Sequence, residues 1–204
     1  MDDSALDGVV LAGGKSSRFG SDKASALLRG RPLLQWVVSA LDQVCGRIVI
    51  VRAAGQVLPP ITSTAEIVVV EDHQEGMGPV AGLVAGLEAV RAPLCFVTAC
   101  DVPLLQPALV TFLARRAANH DVVCPFVDGF HQPLGSIYRP RHCLPLFQSL
   151  VDQEKLRIVP GYTELDTIIV SEDDVRAADP RLLSFKNANR PERLAEIEAL
   201  LEQA

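Results

Sequence analysis

Residues 8–23, GVVLAGGKSSRFGSDK, decide how the chain is read. Gly8–Leu11 is a short apolar run suited to a buried strand. The pair Gly13–Gly14 then lets the backbone bend sharply and approach a ligand closely, with N–H groups expected to be free for oxygen anions. Lys15, Arg18 and Lys23 follow within nine positions, and Arg29 and Arg31 come soon after, with Asp22 the only acid in that span. The formal net charge is −6, from 19 Lys and Arg against 25 Asp and Glu. In such a chain, five cations gathered beside a glycine turn point to a phosphate chain, which takes both point charges and backbone donors. A simple turn with solvated cations is the alternative that this segment alone leaves open. Two familiar phosphate motifs fail here. The first glycine of a Walker A loop would fall at Val9, inside the strand, and the G-x-G-x-x-G fingerprint is broken because Gly13 and Gly14 are adjacent and the next glycine is Gly20.

Working outward, Val- and Ile-rich runs at Arg47–Val51, Glu66–Val70, Leu94–Thr98, Val122–Phe126, Leu134–Tyr138 and Thr167–Val170 read as further strands. Helical patterns lie between them. Pro32–Val44 carries Leu33, Leu34, Val37, Val38, Leu41 and Val44 on one face, and Val80–Val90 and Gln106–Asn119 read similarly. After a start signal at Asn189, Pro191 and Glu192, a last helix shows the stripe Leu194, Ile197, Leu200 and Leu201. Strands alternating with helices predict an α/β fold, a mostly parallel sheet with helices on its faces. Leu58–Ser63, with two prolines, is a loop too short to divide the chain, so residues 1–204 are expected to form one domain.

Composition narrows the function classes. Hydrophobic residues at 49% and charged residues at 22% exclude wholesale disorder, and the acidic balance argues against nonspecific binding to nucleic acid or anionic lipid. No run approaches the length of a membrane span, and the amino terminus MDDSALDG lacks the basic and then apolar pattern of a signal peptide, so a cytoplasmic protein is expected. Cys45, Cys95, Cys100, Cys124 and Cys143 match no zinc or disulfide framework and read as buried small hydrophobes. His73, His120, His131 and His142 share no metal spacing.

The string LAGGKSSRFGSDK, Leu11–Lys23, resembles the signature L-A-G-G-x-S-x-R-M-G-x-D-K of the molybdenum cofactor guanylyltransferases. Three further stretches agree in order and spacing. Gly78-Pro79-Val80-Ala81-Gly82 resembles that family's G-P-L-A-G, Cys100-Asp101-Val102-Pro103 its C-D-x-P, and Asn187-Ala188-Asn189-Arg190-Pro191-Glu192 its N-x-N-x-P-E. Together the matches run from residue 11 to residue 192.

The resemblance implies a Rossmann-like three-layer α/β/α nucleotidyltransferase with a mixed, mostly parallel sheet. It also implies a Mg²⁺-dependent reaction in which GMP passes from GTP to the terminal phosphate of molybdopterin and pyrophosphate leaves. The attacking phosphate oxygen is already anionic, so no serine, cysteine or histidine nucleophile is required; alignment and positive charge are. By resemblance Leu11, Ala12, Gly13 and Gly14 line the nucleotide through the backbone, Lys23 binds it, Asp72 contacts it, and Gly78 and Pro79 join the nucleotide site. Lys15 and Arg18 are assigned to the phosphates on charge. Asp101, following an apolar strand at the edge where open α/β sheets bind ligands, is the expected metal ligand, its alternative being a turn cap. Arg18, Lys23 and Asp101 are the expected catalytic groups. Asn187 and Asn189 are candidates to complete the metal or phosphate shell, with a cap on the last helix as the alternative for Asn189. His131 and Arg157 are candidates for the pterin side. Gly14 favours GTP over CTP by resemblance. Phe19 replaces the family's Met, and Val51 stands where some members carry an Asn that touches the nucleotide. Transient partners among molybdoenzymes or cofactor-biosynthesis proteins are implied. Rival readings are a cytidylyl, sugar-phosphate or phospholactate nucleotidyltransferase and a catalytically silent nucleotide-binding domain.

Overall fold

The computed structural model describes residues 6–13, 23–72, 74 and 78–202. Gly14, Lys15, Arg18, Phe19, Gly20, Asp22 and His73 therefore lie outside the described residues. The first described element is β1 (Leu6–Leu11), every residue of which is buried, as a central strand flanked on both sides requires. A small hairpin, β2 (Leu27–Leu28) with β3 (Arg31–Pro32), leads into α1 (Leu33–Leu41). Then follow β4 (Arg47–Ala53), β5 (Glu66–Asp72), α2 (Gly78–Ala89), β6 (Leu94–Ala99), α3 (Pro107–Ala114) and β7 (Val122–Val127). The last part holds β8 (Phe130–His131), β9 (Ser136–Tyr138), α4 (Pro140–Asp152), β10 (Thr167–Val170), α5 (Glu172–Arg176) and α6 (Pro191–Glu202).

The other strands form one sheet in the order β10-β7-β9-β6-β1-β4-β5, with β8 pairing to β7. Along that path every pairing is parallel except those of β9, which runs against both β6 and β7. Period-2 alternation sends β1 side chains to opposite faces. Val9 and Leu11 join Val49, Val51 and Val97 beneath Leu83 and Leu87 of α2 and Phe147 of α4, whereas Val10 joins Ile48, Ile50 and Phe96 beneath α1, α3 and α5. Helices thus cover both faces, giving three layers. Each of these fully buried Val, Leu or Ile side chains contributes roughly 1.5–3 kcal/mol. A third cluster, built from Leu28, Leu33 and Ile197 with Trp36 against it, seats α6 on the outside of α1.

All seven strands expected from the sequence are present, with Leu134–Tyr138 shortened to Ser136–Tyr138. Helix α1 ends at Leu41 rather than Val44. Just beyond it the Asp42 carboxylate accepts hydrogen bonds from the Thr64 and Ala65 amides and from Ser63 Oγ, fastening the proline-containing loop. Helix α3 stops at Ala114, five residues before the expected end. Helix α4 was not anticipated. Pro145 interrupts its pattern, yet Cys143, Phe147, Leu150 and Val151 are buried at helical spacing, so packing outweighs the proline. Asp7 is likewise an unanticipated buried carboxylate. Its Oδ2 accepts from the Arg91 and Ala92 amides, tying the strand's start to the turn before β6.

Because β1, β4, β5, β6 and β7 are parallel, Leu11, Ala53, Asp72, Ala99 and Val127 all end at one edge of the sheet. The antiparallel β9 begins at that same edge. This arrangement positions the site.

Candidate active site

The glycine turn rises from β1 between its two neighbours. The Ala12 and Gly13 amides both donate to Val51 O, at 2.8 and 3.1 Å, and Leu11 O accepts from Cys100 N at 3.1 Å. For Gly13 this corrects the expectation of an N–H free for anions, while Gly14 lies outside the described residues. The Ala12 and Gly13 amides are consumed in extending the pairing of β1 with β4. Ala12 O is also taken, accepting from Gln56 Nε2 at 3.1 Å. Gly13 is exposed, and a Cβ there would stand 2.7 Å from Ala53 N and 3.1 Å from Arg52 C, so only a glycine lets the turn lie this close to the end of β4. Val51, 1% exposed, packs in the core with its side chain away from the edge, and it is the Val51 carbonyl that holds the turn.

Lys23 opens a single 3₁₀ turn, Lys23–Ser25, beyond the glycine loop. Its Nζ lies 2.9 Å from Asp101 Oδ2, with the side chains 29% and 14% exposed. Asp101 follows β6 by two residues, and Cys100 N bonded to Leu11 O draws the start of its loop to the turn after β1. Its backbone carbonyl accepts from Ala188 N at 2.7 Å. That bond lays the 187–189 segment against the Asp101 loop, with Ala188 buried and Asn187 and Asn189 exposed on either side. The two asparagines border a cavity that is also lined by Asp128, Phe185, Lys186 and Arg193. The last four were not singled out from the sequence, because they converge only when the chain following α5 crosses the sheet edge.

Asp72 ends β5, and its Oδ1 accepts from Gln74 N at 2.9 Å. Its Oδ2 faces α2, 3.8 Å from where a Gly82 Cβ would stand. Gly78 opens α2 at φ +65°, with Leu156 O 3.2 Å from its virtual Cβ, and Pro79 follows, exposed. The amino end of this twelve-residue helix directs backbone N–H groups towards the site edge, where negative charge is favoured. Arg157 is exposed and adjoins Leu156, which brings it near the start of α2.

The five-cation patch expected from the sequence is smaller. Arg31 turns away to stack 4.9 Å above the Trp36 ring and to bond Gln35 O, and Arg29 Nη2 reaches Glu198 O of α6. Lys23 remains at the edge, while Lys15 and Arg18 lie outside the described residues. His131 is half-buried, its ring 5.1 Å from Phe126 and 6.5 Å from Tyr162. Below it the Tyr162 and Tyr138 hydroxyls share a 2.6 Å hydrogen bond. Burial pushes both phenols well above their ordinary range, so they act as neutral hydrogen bonders rather than as bases.

Among the described residues no group of three or more His, Cys, Asp or Glu side chains could by itself hold a metal ion. Asp101 nevertheless fits Mg²⁺, which is commonly held by one or two carboxylates together with substrate phosphates and water. One carboxylate beside an ammonium at an open sheet edge suits that division of ligands.

A family model for the MobA-like NTP transferase domain matches residues 8–165. The molybdenum cofactor guanylyltransferase of Desulfosudis oleivorans is 34% identical over 200 residues, spanning 97% of this chain and 96% of that protein. A probable molybdenum cofactor guanylyltransferase of Natronomonas pharaonis is 31% identical over 197 residues, spanning 92% and 94%. In fold, the chain resembles the crystal structure of molybdopterin-guanine dinucleotide biosynthesis protein A from Archaeoglobus fulgidus. The TM-score is 0.79 at 24% identity, with 97% of this chain and 100% of that one covered. It also resembles 2-C-methyl-D-erythritol 4-phosphate cytidylyltransferase from Thermus thermophilus, with a TM-score of 0.72 at 17% identity and coverage of 97% and 99%. A glycine turn clamped to β4, a Lys–Asp pair at the carboxyl edge and these matches across most of the sequence have one reading: the chain belongs to the MobA-like NTP transferase family and is a nucleotidyltransferase.

Proposed function

We propose that the chain transfers GMP from GTP to the terminal phosphate of molybdopterin, forming the guanine dinucleotide cofactor and releasing pyrophosphate. The observation that supports this most directly is the 2.9 Å pairing of Lys23 Nζ with Asp101 Oδ2, set where β1 and β6 end. An ammonium and a carboxylate in contact, both part-buried, can separate onto a phosphate chain and its counter-cation. Asp101 would hold Mg²⁺, with Asn187 or Asn189 beside it, and the ion when bound supplies neutralising charge at the phosphate oxygens.

The chain's own residues then align and neutralise. Lys23 donates to a phosphate oxygen as negative charge moves towards the departing pyrophosphate, and Lys15 and Arg18 share that load. Asp72 and the start of α2 at Gly78 and Pro79 bound the nucleotide on the β5 side. The acceptor's attacking oxygen is anionic, so no side chain has to take its proton. We assign His131 and Arg157 to contact with the acceptor. Among the described residues no helix is long and apolar enough to cross a membrane, and a cytoplasmic location, where GTP is present, goes with this reading. Any handover of product to a molybdoenzyme or another cofactor-biosynthesis protein would be transient.

The test is to incubate the purified protein with Mg²⁺, molybdopterin and either GTP or CTP, following pyrophosphate and identifying the dinucleotide by mass. Turnover with GTP supports the proposal. Turnover with CTP alone assigns a cytidylyl enzyme, and GTP binding without pyrophosphate release assigns a silent domain.

A further inference from the structure

We infer that Gln56 is a positioning residue for the nucleotide, acting by fastening the glycine turn to the end of β4; the inference rests on the proposed nucleotidyl transfer and names the device that sets nucleotide affinity. Gln56 lies in the loop after β4 and belongs to none of the sequence motifs above. Its side-chain amide bridges the last residue of β4 and the residue that follows β1. Oε1 accepts from Ala53 N at 2.9 Å, and Nε2 donates to Ala12 O at 3.1 Å. The orientation is fixed by chemistry, since a backbone N–H can only donate and a backbone carbonyl can only accept. One amide therefore closes the gap between the residue before Gly13 and the backbone that Gly13 nearly touches.

The same residue is braced from the far side. Arg52 Nη1 donates to Gln56 O at 2.8 Å, while Arg52 Nη2 donates to Glu71 Oε1 at 2.6 Å, and Glu71 immediately precedes Asp72. A continuous series, Ala12–Gln56–Arg52–Glu71, so connects the turn after β1 with the end of β5, the two places from which the nucleotide is contacted. Ala12 and Gly13 have already given both amides to Val51 O. What they contribute is the position from which the rest of the glycine loop departs, and Gln56 sets that position from the carbonyl side. Preorganised position of this kind is where nucleotide affinity is gained, because a loose turn must be ordered at the moment of binding.

Two substitutions separate this role from a merely structural one. Gln56→Glu keeps an acceptor for Ala53 N but sets a carboxylate oxygen against Ala12 O. Gln56→Met keeps the volume and removes both bonds. Affinity for GTP and CTP is measured by calorimetry, and KM and kcat with the preferred nucleotide, next to the melting temperature. Both variants are expected to raise KM about tenfold, the scale of one or two net hydrogen bonds, and by more than they lower kcat, with Glu at least as damaging as Met. Unchanged KM in both variants, or a loss that follows the fraction unfolded, overturns the inference. A wild type that prefers CTP removes the guanine assignment only, and the Gln56 variants are then judged by the same outcomes with CTP.

Discussion

Lys23 Nζ and Asp101 Oδ2 stand 2.9 Å apart although 78 residues separate them in sequence. Each neutralises the other at the sheet edge, so the pair itself carries no net charge. On the proposed function, a triphosphate would compete with Asp101 for the ammonium, and a divalent cation with Lys23 for the carboxylate.

Replacing either partner is expected to remove a preorganised charge from the transition state. Lys23→Ala and Asp101→Ala should each lower turnover by at least about 10²-fold. Because the pair is part-exposed, the fold should persist, checked by circular dichroism alongside pyrophosphate release. Wild-type rates in both variants would remove the pair from the mechanism.

Gly13→Ala brings a Cβ to 2.7 Å from Ala53 N, and backbone atoms cannot swing aside as a side-chain tip can. Denaturant melts should show a loss of about 1–3 kcal/mol, the usual cost of overpacking, together with weakened nucleotide binding by calorimetry.

Acid stability should report on Asp42. Burial alone would raise its carboxyl, but hydrogen bonds from Ser63 Oγ, the Thr64 and Ala65 amides and Thr64 Oγ1 together bring it below its ordinary value of 3.8. A lowered folded value means that the stabilisation is complete above the unfolded value and disappears as pH falls through the folded one. Unfolding experiments from pH 7 downward should therefore show Asp42→Ala less stable than wild type at neutrality, with the two curves converging below about pH 4.

All five cysteines are buried thiols outside any disulfide, and burial pushes the Cys45 and Cys143 thiols up to about 12. The native protein should resist thiol reagents at pH 7, since the thiolate is the reacting form. Five thiols should titrate once denaturant is added. Rapid native labelling would mean that the protein opens far more readily than this packing allows.

The sheet was legible because β1, β4 and β6 are short apolar runs with breakers on either side, and because α1 and α2 bury residues at helical spacing. Helix α4 was not, since Pro145 and the charged start at Arg141 mask a stripe that only the covered face reveals. Asp101 and Lys23 were readable from motif and position. Their contact, and the spending of the Ala12 and Gly13 amides on Val51, depend on how three strands meet, which local pattern does not encode. Gln56 left no local signal either, because the bond that gives it a role, to the Ala12 carbonyl, spans 44 positions of sequence. Arg31 looked like part of the phosphate patch until the Trp36 ring supplied it with another neighbour.

The reversed strand β9 has a lasting consequence for how such a molecule can diversify. An all-parallel sheet would return the chain to the opposite rim before each strand. One reversal instead keeps the Asp128–Gly129 hairpin and the Gln132–Gly135 stretch along the rim that carries the Asp101 loop, so these two segments can be re-lengthened or recoloured with new side chains while β1, β4, β5 and Asp101 remain as they are.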